Sequence, residues 1–230
     1  MIHNLFVFAA SILFWYLCFL LGDGLLRLVS VTITPPLRRF GYAAVLGLGT
    51  LGVIALLLSL AGVFNAVAIH FVFALVLVWS WPLVRRQAAA FRFWLSSPAA
   101  LFRRLKALFQ GALFLKLLLV VWLAANFMIV FVPITGHDTL DYHLPIITDL
   151  AGKGKMDFAA PIEGYRHLPV LGELIYAIPT VAFFNDRAPF IFQIIQYELV
   201  VFLLIIFFEF LRPRLAHRFL LFAAPLLVLG

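Results

Sequence analysis

Apolar stretches of membrane-spanning length recur along this chain and restrict what it can fold into. They cover about residues 5–28, 41–62, 66–84, 109–132 and 188–211. A helix needs about 20 apolar residues to cross a bilayer, and it satisfies its own backbone hydrogen bonds where water is absent. The chain is 65% hydrophobic and 12% charged, with a mean hydropathy of +1.12. We therefore predict an all-α polytopic membrane protein with about five complete transmembrane helices.

Charged residues are distributed unevenly, and their distribution predicts the topology. Ten of the 17 lysines and arginines precede residue 133, whereas only one of the ten acidic residues, Asp23, does so. Positively charged loops stay on the cytoplasmic side, so the basic segment 84–106 is predicted to be cytoplasmic and the next helix to lead outward. Residues 133–187 then form an external loop. The net charge of +7 thus reflects topology and does not indicate nucleic-acid binding.

The segment 168–184 is apolar, but we predict that it does not cross the membrane. It has only 17 residues and includes two prolines and Glu173, which places it at the lower limit of spanning length. If it crossed, the arginines of 212–218 would lie outside, against the positive-inside tendency. We expect juxtamembrane helices that lie at, or dip into, the outer membrane surface.

The last apolar stretch, residues 219–230, is too short to span. Its 12 residues would form a helix about 18 Å long, against a hydrocarbon layer of about 30 Å. We therefore expect the chain to be truncated at its C-terminus, within an incomplete helix. Two regions are predicted: 1–108, with the first transmembrane helices and the basic cytoplasmic loop, and 109–230, which contains the external loop 133–187.

A polar island, residues 133–167, interrupts the apolar sequence and is the candidate site. It contains five of the ten acidic residues and three of the six histidines. Asp138 and Asp141 are three residues apart, which fits a general base, a ligand for a hard cation, or a helix cap. The histidines lack the spacing of a zinc motif, and the pattern leaves a divalent cation open. Arg166 and His167, at the end of the island, fit either a phosphate ligand or lipid headgroups.

Two further features lie within the apolar stretches. Residues 47–52 match G-x-G-x-x-G, but no strand precedes them, so we interpret these glycines as a helix-packing surface. Glu198 lies near the middle of the stretch 188–211, and an acid at that depth is a functional candidate. Lys116, in the stretch 109–132, is a possible partner for it.

The island resembles a known family. Residues 138–145 read D-T-L-D-Y-H-L-P, residues 167–169 read H-L-P, and residues 185–189 read N-D-R-A-P. Over about 109–230 this pattern resembles the membrane glycosyltransferases of the C-type fold, which include protein O-mannosyltransferases and the lipid A aminoarabinose transferase. The resemblance implies a hexosyl or pentosyl transferase in a bacterial inner or plasma membrane. Its donor would be a sugar on polyprenyl phosphate, and its acceptor a hydroxyl or amine on the external or periplasmic face.

The resemblance also implies roles for residues. Asp138 corresponds to the catalytic carboxylate of the family, although Thr139 stands where the family has a second acid. The implied substrate-binding residues are Asp141, Tyr142, His143, Tyr165, Arg166 and His167. No cofactor is implied beyond a possible divalent cation, and the partners are the lipid-linked donor and membrane lipids.

Two other classes of function remain open from the sequence. In a transporter or lipid flippase, Glu198 and Lys116 would form a polar path within the spans. In a non-enzymatic membrane subunit, the island would be a docking loop.

Overall fold

The computed structural model describes residues 2–34, 36–95, 113–129, 143–155, 171–183 and 188–211. Within these ranges the chain forms eight helices and no strands, which confirms the all-α prediction for this part of the chain. The helices are α1 (Ile2–Leu28), α2 (Pro36–Leu60), α3 (Ala66–Trp79), α4 (Trp81–Leu95), α5 (Leu113–Ile129), α6 (Leu144–Lys153), α7 (Leu171–Phe183) and α8 (Ala188–Leu211).

Helices α1 and α2 form the tightest pair in the bundle. A Cβ added to Gly22 would lie 1.8 Å from the carbonyl oxygen of Ala43, and one added to Gly47 would lie 1.8 Å from that of Cys18. The two backbones therefore touch where their residues are small, as is common in membrane helix pairs. This contact confirms the helix-packing interpretation for Gly47.

The prediction of a single helix over 66–84 is wrong, because the structure divides this segment into two helices. α3 ends at Trp79 and α4 begins at Trp81, and the two axes are bent by 66°. Pro82 explains the break, since it donates no backbone hydrogen bond and its ring clashes with the preceding turn of a helix. The buried Ser80 stabilises the corner, where its hydroxyl donates to the carbonyl of Leu20 at 3.3 Å.

Length and composition identify the helices that suit a membrane. Phe6–Leu28 in α1 and Arg38–Leu60 in α2 are each long and apolar enough to span, and the bent pair α3–α4 makes a third candidate if it is counted as one broken span. Shorter apolar helices cover Leu117–Met128, Gly172–Phe183 and Ile191–Leu204. The described part of the chain thus fits a helical membrane protein with two or three candidate spans. The expected count of five stays a prediction, and residues 219–230 lie outside the described ranges.

The bundle has two distinguishable ends. At one end, Asp23 in α1 pairs with Arg39 in the first turn of α2, and Ile206 in the second half of α8 packs on Gly41. At the other end, the turn between α2 and α3 meets the end of α6, where the amide of Phe64 donates to the carbonyl of Gly154 at 3.0 Å. α6 therefore lies at the opposite end of α2 from the Asp23–Arg39 pair.

Helix α7 packs inside this second end. Its Ile178 lies among Leu51, Ala55 and Leu58 of α2 and close to Phe64. α8 then runs from the α6 end towards Gly41, because its late residue Ile206 is the one at the Asp23 end. The chain thus enters α8 from the end where α6 lies.

Candidate functional site

The described part of the polar island begins at His143, which directly precedes α6. Pro145 stands in the first turn of α6, where a missing backbone N–H costs nothing. Ile146, Ile147 and Leu150 are buried, and their spacing gives α6 one apolar face towards the bundle. Gly154 ends the helix with a φ of 66°, a conformation that glycine adopts without strain.

His143 is joined to a carboxylate far along the chain. Its Nδ1 lies 2.6 Å from Oε1 of Glu173, in the first turn of α7. The imidazole ring also stacks beside Phe192 of α8, with ring centroids 6.4 Å apart. The side chain of His143 is 33% exposed and that of Glu173 only 7%. His143 thus connects α6, α7 and α8 at the surface of the bundle.

The other carboxylate oxygen of Glu173 is buried and forms no hydrogen bond with the described residues. Its Oε2 has no partner among the described residues, although Glu173 as a whole is only 5% exposed. Its place in the first turn of α7 is favourable for a negative charge, because the helix dipole is positive there. A buried acceptor costs about 1–3 kcal/mol when unpaired, so a hydrogen-bond donor at this oxygen would stabilise the junction.

Tyr176, one turn further along α7, adds a hydroxyl near the same junction. Its ring packs against Phe192 with centroids 4.5 Å apart. Burial raises the pKa of Tyr176, and the nearby charge of Glu173 raises it further. The phenol therefore stays protonated at neutral pH and can act as a hydrogen-bond donor.

His143 alone among the predicted site residues is placed by the structure. Asp138, Asp141, Tyr142, Tyr165, Arg166 and His167 lie outside the described residues. Glu173 was not predicted as a site residue from the sequence, where its charge counted only against a membrane-spanning segment. A single acid in an apolar helix is a signal that would have identified it. Within the described ranges, no group of three or more His, Cys, Asp or Glu side chains is arranged to hold a metal ion.

A second polar contact lies in the core, between α1 and α8. The hydroxyl of Ser11 lies 2.8 Å from the carbonyl oxygen of Phe8 and 2.9 Å from Oε1 of Glu198. Oε2 of Glu198 is buried and has no hydrogen-bond partner among the described residues. The side chain of Lys116, the expected partner of Glu198, lies outside the described part of the structure.

The described helices place the chain in a broad class, that of helical proteins whose apolar helices suit a membrane. Comparisons of the chain with models of protein families, with curated proteins and with solved structures find no match. A function for this chain is therefore inferred from the residues of the polar island, from the contacts at the start of α6, and from the resemblance of residues 109–230.

Proposed function

We propose that this chain belongs to a membrane glycosyltransferase. It would transfer a sugar from a polyprenyl-phosphate donor to a hydroxyl or amine at the external face of a bacterial plasma membrane. The observation that carries the proposal is the contact between His143 and Glu173. It holds the last part of the D-T-L-D-Y-H-L-P motif against a buried carboxylate, and reactive side chains need such a rigid support.

The placement of α6 supports the external location. The Asp23–Arg39 pair lies at the end of the bundle where α4 begins. The positive-inside tendency assigns the basic segment 84–106, which starts in α4, to the cytoplasm. α6 meets the turn between α2 and α3 at the other end. A donor held in the lipid could approach the polar island there, while the acceptor arrives from water.

The proposed reaction is a single displacement at the anomeric carbon. Asp138 accepts the proton of the acceptor hydroxyl while the acceptor oxygen bonds to the anomeric carbon. The bond between that carbon and the phosphate oxygen breaks, and the polyprenyl phosphate leaves with the electron pair. Arg166 and His167 would stabilise the charge of the leaving phosphate, and Asp141, Tyr142, His143 and Tyr165 would bind the substrates. His143 would be a positioning residue as well, because its ring is held by Glu173.

The test compares two carboxylates of the same island. Membranes containing Asp138→Asn or Asp149→Asn would be given labelled polyprenyl-phosphate hexoses and pentoses, and the release of free polyprenyl phosphate would be measured. Asp149 is the control, because it forms a partly exposed pair with Lys153 within α6. We expect Asp138→Asn to lose about 10²- to 10⁴-fold in rate, and Asp149→Asn to stay within about twofold of wild type, since exposed pairs contribute little. A rate near wild type for Asp138→Asn, in protein that still inserts into membranes, would contradict the proposed role.

The alternative function, a transporter or lipid flippase, is favoured by the contact of Glu198 with Ser11 inside the bundle. A single substitution distinguishes the two functions. Glu198→Gln should stop a transporter that moves its cargo past this acid, whereas the proposed transferase should retain sugar transfer. Transport of labelled lipid into liposomes and sugar transfer, measured on the same preparation, distinguish them.

A further inference from the structure

A cavity of about 300 Å³ lies at the end of the bundle opposite to α6. It is formed between the end of α1 and the corner where α3 turns into α4. Its lining includes Asp23, Gly24, Arg27, Trp79, Ser80 and Pro82. None of these residues belongs to the polar island, and the proposed reaction uses none of them.

The acid that lines the cavity, Asp23, is bound by Arg27, which also lines the cavity, and by Arg39, which lies outside the lining. Asp23 is only 1% exposed, and its two oxygens accept from Nε of Arg27 at 2.7 Å and from Nε of Arg39 at 2.5 Å. Two guanidinium groups therefore face one carboxylate, which leaves a net positive charge. A guanidinium has five N–H donors, and the bond to Asp23 uses only Nε of Arg27. Arg27 is 44% exposed, so its remaining donors are accessible from the cavity that it lines.

Aromatic and aliphatic side chains surround this charge. The ring of Trp79 lies against Gly24, where an added Cβ would be 2.8 Å from two ring atoms. Trp79 and Trp81 are both about half exposed, and Leu28, at the end of α1, is 73% exposed. Tryptophan is enriched at the level of lipid headgroups, where its ring is apolar and its N–H is polar.

Helix α4 carries more positive charge beside the cavity. It is fixed to α1 by the hydroxyl of Tyr16, which donates to Oε1 of Gln87 at 2.6 Å. Leu83 and Val84 pack towards the core, whereas Arg85 and Arg86 are exposed. α4 is therefore amphipathic, as expected for a helix that lies in the headgroup region next to anionic lipid.

From this combination we propose that the cavity binds the phosphate of an anionic phospholipid headgroup, with the guanidinium of Arg27 as its ligand. Arginine suits a phosphate because two of its N–H groups can donate in parallel. The exposed apolar side chains at the rim fit the acyl chains of a phospholipid, which a free inorganic phosphate lacks. The site is independent of the proposed sugar transfer and lies at the end of the bundle that the charge distribution assigns to the cytoplasm.

The test is a lipid titration of the purified 230-residue chain in detergent. Short-chain phosphatidylglycerol and phosphatidylcholine with the same acyl chains would be added, and bound lipid would be counted by native mass spectrometry. We expect phosphatidylglycerol to bind about tenfold more tightly, and Arg27→Gln to remove most of this preference, since a charge-assisted pair is worth about 1.5–3 kcal/mol or roughly a factor of ten or more. Lys155→Gln is the control, because it removes a positive charge from an exposed position just after α6, at the other end of the bundle, and it should change the affinity by less than about twofold.

Several results would overturn the proposal. These are equal affinities for the two lipids, equal losses in Arg27→Gln and Lys155→Gln, or displacement of phosphatidylglycerol by inorganic phosphate at equal concentration. If Arg27→Gln does not fold, the same titration is carried out with Arg27→Lys. This variant keeps the positive charge beside Asp23 but removes the two parallel N–H donors of the guanidinium. We then expect phosphatidylglycerol binding to weaken at least threefold, and unchanged binding would contradict the assignment to Arg27.

Discussion

Nδ1 of His143 and Oε1 of Glu173 are 2.6 Å apart, although the two residues are 30 positions apart in the chain. The contact joins the start of α6 to the first turn of α7. Because Glu173 is buried and the described residues offer its other oxygen no partner, His143 is its main source of stabilisation among the described side chains. The position of α6 and the burial of Glu173 therefore depend on each other.

This dependence predicts the outcome of a double-mutant comparison. His143→Ala leaves a buried carboxylate without its partner, so we expect it to lower the free energy of unfolding by about 1–3 kcal/mol. Adding Glu173→Gln should recover part of that loss, because a neutral amide costs less to bury than a carboxylate. Thermal unfolding in detergent measures both variants. A double variant as unstable as His143→Ala would show that the charge of Glu173 is not what His143 stabilises.

The site was only partly predictable from the sequence. His143 was identified as a site residue because it belongs to a short motif in the polar island. Glu173 was not, because its partner is 30 residues away and no helical or strand period links the two positions. Such contacts depend on how α6 and α7 pack, and packing is not encoded in local spacing.

The crossing of α1 and α2 gives a second prediction, with its control in the same helix. Gly47→Ala puts a Cβ 1.8 Å from the backbone carbonyl of Cys18, so the two helices must separate. We expect a loss of about 1–3 kcal/mol or more in unfolding free energy, as for other overpacked sites. Gly49→Ala meets no atom within 4 Å and should be neutral or stabilising by up to about 1 kcal/mol, since alanine is the better helix former. Equal effects of the two substitutions would show that the close contact is not maintained in the membrane protein.

Sequence patterns anticipated most of the helices but not how the third one ends. The apolar period predicted a continuous helix over 66–84, and the structure breaks it at Ser80. Pro82 was the available signal, since proline in a helix interior is a reliable breaker. The apolar sequence continues through the bend as far as Val84, so hydrophobicity alone cannot detect the corner. The close approach of α1 and α2, in contrast, follows from glycines that the sequence already displayed.

The contact between Ser11 and Glu198 predicts a protonation state. The Ser11 hydroxyl has one proton, yet it lies within hydrogen-bond distance of both Phe8 O and Glu198 Oε1. Both contacts are satisfied if Ser11 donates to Phe8 and the Glu198 carboxyl, as a neutral acid, donates to Ser11. We expect an infrared band of a protonated carboxylic acid at neutral pH that is absent from Glu198→Gln. The amide of Glu198→Gln can replace the donor, so its unfolding free energy should stay within about 1 kcal/mol of wild type. If wild type and Glu198→Gln give the same spectrum in this region, Glu198 is ionised.

The topology is tested by cysteine labelling from the two sides of the membrane. Cys18 is completely buried, so the wild-type chain should give little background. Val63→Cys lies beside Phe64, whose amide donates to Gly154 at the end of α6. It should therefore be labelled by a membrane-impermeant maleimide from the same side as Ala160→Cys, in the loop that the sequence predicts to be external.

The other two positions report the opposite face. Val31→Cys lies in the link between α1 and α2, next to the Asp23–Arg39 end. It should be labelled from the same side as Leu215→Cys, because the positive-inside tendency assigns both to the cytoplasm. Labelling of Leu215→Cys together with Ala160→Cys would mean that 168–184 crosses the membrane. Labelling of Val63→Cys and Ala160→Cys from opposite sides would remove the polar island from the face on which sugar transfer is proposed.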